Sequence, residues 1–164
     1  MFEELSLHVL DIGMNSIAAG ASCVRVTVTE DTLHDSLTIA VADDGSGMDE
    51  PTLQSVLARS TTSKATRRKN IGLGLALLRQ TAESCNGAFH VVSAPGQGTT
   101  VTAKMQLTHV DLPPVGDLNA TILALCAAAP QTDIRLVYRT DHDVFEFSSQ
   151  ELSAPVRNQQ GVNT

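Results

Sequence analysis

The most constraining stretch is Val41-Ala42-Asp43-Asp44-Gly45-Ser46-Gly47-Met48, where an apolar run stops at a carboxylate and two glycines one residue apart. The preceding Leu37-Thr38-Ile39-Ala40-Val41-Ala42 is short, β-branched and apolar, which predicts a largely buried strand. Asp43 then stands at the strand's end, where a core opens into a pocket. Gly45 and Gly47 let the backbone turn away and leave no side chain in a ligand's path. An ordinary acidic turn fits the same residues, because Asp-Gly is a common turn dipeptide. The flanking segments decide between the two readings.

Residues 3 to 19 predict a helix, with Leu7, Leu10, Met14 and Ile17 forming a buried stripe at spacings of three and four. His8, Asp11 and Asn15 fall on another single face of that helix, either a solvated face or one that looks into a pocket. The period-two pattern of Val24 to Thr29 predicts a half-buried strand, joined to the apolar strand as an antiparallel hairpin. Asp49-Glu50-Pro51 is a helix start.

From Pro51 to Ala82 there is no Asp or Glu, while Arg59, Lys64, Arg67, Arg68, Lys69 and Arg79 supply more than half of the 11 basic residues. The part from Arg59 to Asn70 lacks apolar periodicity and is rich in hydroxyls, which predicts a mobile loop. It leads into Ile71-Gly72-Leu73-Gly74-Leu75, glycines two apart opening a helix that runs to about Cys85. Free backbone N–H groups and the positive end of the helix dipole suit phosphate oxygens there. Asn86-Gly87 ends that helix, and residues 88 to 94 and 99 to 107 predict a second hairpin across Pro95-Gly96-Gln97-Gly98. Beyond Pro113-Pro114, Asp117 predicts the cap of a helix reaching Ala129, followed by a hairpin of Ile134 to Tyr138 and Val144 to Phe147.

Taken in order, a helix with Asp-x-x-x-Asn, a strand ending Asp-x-Gly-x-Gly-Met, a basic loop, Gly-Leu-Gly-Leu opening a helix, and a hairpin closed by Gly-x-Gly-Thr resemble one domain. It is the GHKL ATPase domain, the Bergerat fold shared by gyrases, mismatch-repair ATPases, heat-shock chaperones and sensor histidine kinases. The resemblance covers about residues 5 to 107. It implies an α/β two-layer sandwich, with a mostly antiparallel sheet and the helices of residues 5 to 19 and 73 to 85 on one face. The expected division is an ATPase domain over 1–108, a C-terminal helix-hairpin appendage over 109–152 and a loose tail over 153–164.

The resemblance also implies ATP and Mg²⁺ as ligands. Asp43 resembles the adenine reader, whose carboxylate accepts from the exocyclic amine where guanine carries a repelling carbonyl. Gly45, Gly47 and Met48 belong to the same motif, with Gly47 leaving room for the base, and Thr99 resembles the holder of a water between Asp43 and the ring. Asn15 resembles the Mg²⁺ ligand. Gly72, Leu73, Gly74 and Leu75 resemble the phosphate cradle, and the basic loop a lid with Lys64 as its contact. Asp11 stands where hydrolysing relatives place a glutamate general base, one methylene longer.

The expected activity is slow ATP hydrolysis or transfer of the γ-phosphate to a partner protein in signal transduction; the alternative is a non-catalytic, ATP-gated interaction module. The sequence begins directly at the Asn-bearing helix, so self-phosphorylation within it is not expected. A net charge of −7 argues against a general nucleic-acid or anionic-membrane binder. No apolar run approaches ~20 residues, and Cys23, Cys85 and Cys126 read as reduced core thiols, so a cytoplasmic protein is expected.

Overall fold

The computed structural model describes residues 4–58 and 73–153. The expectations for Lys64, Gly72 and the rest of the basic loop fall outside them. The elements in order are helix α1 (Leu5–Ala18), strands β1 (Cys23–Asp31) and β2 (Ser36–Asp43), helices α2 (Glu50–Ala58) and α3 (Leu73–Ser84), and strands β3 (Ala88–Ala94) and β4 (Gly98–Gln106). Helix α4 (Leu118–Ala128), strands β5 (Asp133–Arg139) and β6 (Val144–Ser148) and the short helix α5 (Ser149–Ser153) follow.

Among the described residues one six-stranded sheet carries all the strands, in the order β3-β4-β2-β1-β5-β6. Every neighbouring pair is antiparallel except β1 with β5, which run parallel from Cys23 opposite Asp133 to Thr29 opposite Arg139. Alternation along the central strands puts Val24, Val26, Val28, Leu37, Ile39, Val41, Val101 and Ala103 at 2% exposure or less, under a layer of helices. The expected sandwich with a mostly antiparallel sheet is therefore the observed fold.

The segment expected as an appendage is built into the same body. Strand β5 joins the sheet, α4 lies against α1, and Leu118, Ile122, Leu125, Ile134 and Leu136 enter the common core. Asp117 caps α4 as expected, accepting the Ala120 N–H at 2.9 Å. A Cβ at Gly13 would lie 2.8 Å from the Leu125 methyls, so this glycine sets how closely α1 and α4 pack. Cys23, Cys85 and Cys126 are all free thiols.

Helix α1 corrects one expectation. Leu7 and Met14 of the predicted buried stripe are 39% and 42% exposed, while Leu5, Val9, Ile12 and Ser16 are at 4% or below. Both sets share the spacing of three and four, so periodicity defines the helix without telling which stripe faces inward. With the sheet beneath and α3 and α4 alongside, the helix is enclosed on several sides, and even His8 is 1% exposed.

Candidate functional site

Asp43 closes β2, with Val24 of β1 opposite on one side and Thr99 of β4 on the other. Its Oδ1 accepts the backbone N–H groups of Gly45 at 2.9 Å and Thr99 at 3.2 Å. Its Oδ2 accepts the hydroxyl of Ser16, on α1, at 2.6 Å. A carboxylate offers about four acceptor positions, and three are used. The group is thus fixed in direction and half-buried, with acceptor capacity left for one outside donor.

The loop after Asp43 is held on both sides. Asp44 accepts the N–H groups of Ser22 at 2.8 Å and Cys23 at 2.9 Å together with the Ser22 hydroxyl, and these bonds hold its carboxyl below the usual range. The Ser46 N–H donates to Ala19 O at 2.9 Å, and the Gly96 N–H donates to Ser46 O at 2.8 Å. Ser93 Oγ accepts the Met48 N–H at 2.8 Å, donates to Gly98 O at 3.2 Å and stands 2.8 Å from Thr99 Oγ1.

Gly47 has φ +64°, and a Cβ on it would come 1.9 Å from the Ala94 carbonyl oxygen. On its Cβ side Gly47 thus permits backbone to meet backbone. Gly98, φ +79°, does the same against the Asp43 carbonyl, also at 1.9 Å.

The second cluster lies where α1 meets the start of α3. Asp11 Oδ2 is buried without a hydrogen-bond partner among the described residues. A Cβ on Gly74 would sit 1.8 Å from that oxygen, so only glycine admits the carboxylate so close to the first turn of α3. Burial pushes the Asp11 pKa up, and the Gly74 N–H works against that by favouring the charged form. Asn15 lies one turn further along α1, half-buried. Leu73 is 59% exposed, whereas the Leu75 side chain is 6% exposed and belongs to the core.

Helix α1 therefore links the two clusters. Asp11 abuts the first turn of α3, and Ser16 reaches Asp43. Ser16 and Ser93 are the site residues that sequence reasoning missed. Two cavities among the described residues, of about 400 and 470 Å³, lie elsewhere, beside the start of α4 and beside Asn86 and Lys104.

A fixed acceptor at a sheet end, a carboxylate and an amide on one helix, and a second helix whose first-turn glycine meets that carboxylate describe a nucleotide-binding domain. Residues 1–109 match the histidine kinase-, DNA gyrase B- and HSP90-like ATPase family, and the chain belongs to it. Domains of this family bind ATP with Mg²⁺.

Among curated proteins it is similar to the non-motile and phage-resistance protein of Caulobacter vibrioides, 33% identical over 98 residues, covering 57% of this chain and 11% of that one. It is also similar to the virulence sensor protein BvgS of Bordetella bronchiseptica, 28% identical over 132 residues, covering 75% of this chain and 10% of that one. The chain thus spans about a tenth of the length of these relatives.

Among solved structures, the N-terminal domain of a DNA repair protein aligns with TM-score 0.55 at 14% identity, over 90% of this chain and 52% of that one. The MutL ATPase domain of Aquifex aeolicus, complexed with ADP, aligns with TM-score 0.50 at 14% identity, over 90% and 64%. These two likenesses concern the fold. No helix among the described residues is long and apolar enough to cross a membrane.

Proposed function

We propose that this chain binds Mg-ATP in the cytoplasm and either hydrolyses it slowly or passes its γ-phosphate to a partner protein. The observation that carries the reading is the Asp43 carboxylate, fixed by Ser16, Gly45 and Thr99 with acceptor capacity to spare. An adenine amine supplies the donor that this acceptor lacks, and the guanine carbonyl does not.

Asp11 and Asn15, one turn apart on α1, are the polar groups proposed to meet a magnesium–phosphate group. No cluster of three or more His, Cys, Asp or Glu able to hold a metal exists among the described residues. Mg²⁺ is a hard cation that keeps most of its waters and takes few protein ligands. Asn15 would hold it, and bound there it would neutralise phosphate charge. The backbone of Leu73 and Gly74 at the start of α3 would receive phosphate oxygens, with Gly72 and Lys64 assigned to the same task by family resemblance.

Asp11 decides between turnover and simple binding. Its raised pKa makes it the stronger base, and it stands on the same face as Asn15. An aspartate falls short of a glutamate by about 1.5 Å, a misplacement worth on the order of a hundredfold in rate. A second reading, an ATP-gated module without catalysis, draws on the closeness of this carboxylate to Gly74, which would keep it from water.

Phosphate release under saturating ATP, by the parent and by Asp11→Asn and Asp11→Glu, separates the readings. Slow release by the parent that falls in Asp11→Asn and rises in Asp11→Glu supports hydrolysis. Equal release by parent and Asp11→Asn removes Asp11 as the base.

A further inference from the structure

Strand β6 lies at one edge of the sheet, and among the described residues β5 is its only neighbour. The Thr140 N–H donates to Asp143 O at 2.9 Å, which makes these two a hydrogen-bonded pair in the register of the hairpin. Such pairs alternate along an antiparallel ladder, so Tyr138 with Phe145 and Leu136 with Phe147 are bonded in the same way. The Ile134 N–H, next in that series, also turns to the β6 side, where it donates to Ser149 Oγ at 2.9 Å. The backbone N–H and C=O groups of Val144 and Glu146 therefore turn away from β5, toward the edge.

The side chains alternate as well. Phe145 and Phe147 share the helix side of the sheet with Tyr138 and Leu136, while Val144 and Glu146 point to the other face. Val144 and Phe145 are 60% and 55% exposed. The cleft of about 400 Å³ beside the start of α4 is lined in part by Phe145, Tyr138 and Leu136. A further strand on this edge would set alternate side chains beside that aromatic pair. An open ladder with exposed apolar side chains is a template for another extended chain.

Charge narrows what that chain is. Between residues 117 and 153 the acids are Asp117, Asp133, Asp141, Asp143, Glu146 and Glu151, and the Lys and Arg residues are Arg135 and Arg139. Arg135 is paired with Asp133. Glu146 is exposed and makes no salt bridge among the described residues, with Arg139, its diagonal neighbour, included. A second copy of β6 is a poor occupant, because Val144-Phe145-Glu146-Phe147-Ser148 carries no cation. The self-pairing with the most backbone bonds, centred on Glu146, would set two like charges directly opposite each other.

We propose that β6 docks an extended segment of a partner protein as an antiparallel seventh strand, with a core of one apolar residue, a Lys or Arg, and a second apolar residue. The cation lies opposite Glu146, and the apolar residues lie opposite Phe145 and Phe147. Main-chain bonds to Val144 and Glu146 supply affinity, and the alternate side chains supply specificity. This edge is three strands from β2, which carries Asp43, and its test uses no nucleotide.

The probe is a synthetic peptide of about nine residues, with a Leu-Lys-Leu core between Thr and Ser residues, titrated into the whole chain and followed by NMR. We expect saturable shifts at the Val144 and Glu146 amides and the Phe145 ring, with slowed exchange of those two amides. N-methylation at the Lys amide, which faces the edge, should abolish binding, whereas N-methylation at a Leu amide should not. Glu146→Lys should weaken the peptide about fivefold or more and come to prefer the same peptide with Glu in place of Lys. If that variant loses its native spectrum, Glu146→Gln must still weaken binding and reduce its salt dependence. Equal binding of the peptide methylated at Lys, or shifts that leave β6 untouched, overturns the proposal. Shifts of the β6 amides on raising the protein concentration alone would also overturn it, in favour of a second copy.

Discussion

Gly74→Ala tests the contact on which the α1–α3 cluster rests. The new Cβ would fall 1.8 Å from Asp11 Oδ2 and 2.8 Å from its Cγ, against ordinary C···O contacts of about 3.3 Å. About 1.5 Å must be recovered. If α3 moves away, Leu75 and Leu78, now 6% and 1% exposed, loosen in the core, and such repacking costs about 1–3 kcal/mol. If the carboxylate swings away instead, it gives up the favourable influence of the Gly74 N–H on its charged form. Alanine's better helix propensity offsets up to about 1 kcal/mol. The net expectation is a destabilisation of about 1–2 kcal/mol, or roughly 3–6 °C in Tm.

Asp11→Ala removes the oxygens and leaves the residue 11 Cβ 3.1 Å from the new methyl, so the double variant fits with minor adjustment. Denaturant unfolding of the parent, both single variants and the double variant should give a coupling energy of about 1 kcal/mol or more. If Gly74→Ala costs the same whether residue 11 is Asp or Ala, or stabilises the parent, the assigned contact is wrong.

Burial raises the Asp11 pKa above 3.8, so the native state binds the extra proton and stability falls as pH rises from 3.8 through the native value. Asp11→Asn should therefore be more stable than the parent at pH 7, with the advantage vanishing below pH 3.8 in denaturant midpoints. His8 behaves in the opposite sense, since burial holds its pKa down at about 4 against 6.5 unfolded. Stability on its account is complete above pH 6.5 and is lost toward pH 4, and His8→Gln should flatten that slope in the same series. Asn15→Ala should make ATP binding lose most of its Mg²⁺ dependence while the fold is retained; calorimetry with unchanged Mg²⁺ dependence excludes Asn15 as the ligand.

The three hairpins and the helix starts were legible because turn residues and period-two patterns are local signals. The parallel join of β5 to β1 was not, since which strand a helix-connected segment returns to depends on packing between distant residues. Asp43 announced itself by ending an apolar strand before Gly-x-Gly. Its partner Ser16 did not, because a small polar residue on a helix declares no role until the fold brings together residues 27 apart in sequence. Gly47 marks a place of close approach, and on its Cβ side the approaching group is the Ala94 carbonyl. On α1 the spacing marks a helix and leaves its phase open, and Leu7 and Met14 lie on the outer side.

Asp43→Asn isolates the central claim. The amide keeps one oxygen for Gly45 and Thr99, and Ser16 Oγ, already 3.2 Å from Ile12 O, can donate there while accepting from the new NH₂. The variant should therefore fold, while presenting a donor to the adenine amine. Isothermal calorimetry with ATP and GTP on parent and variant should show ATP weakened by about 1–3 kcal/mol, ten- to a hundredfold, and GTP bound poorly by the parent. Equal ATP affinity in a folded Asp43→Asn protein would contradict Asp43 as the reader of adenine.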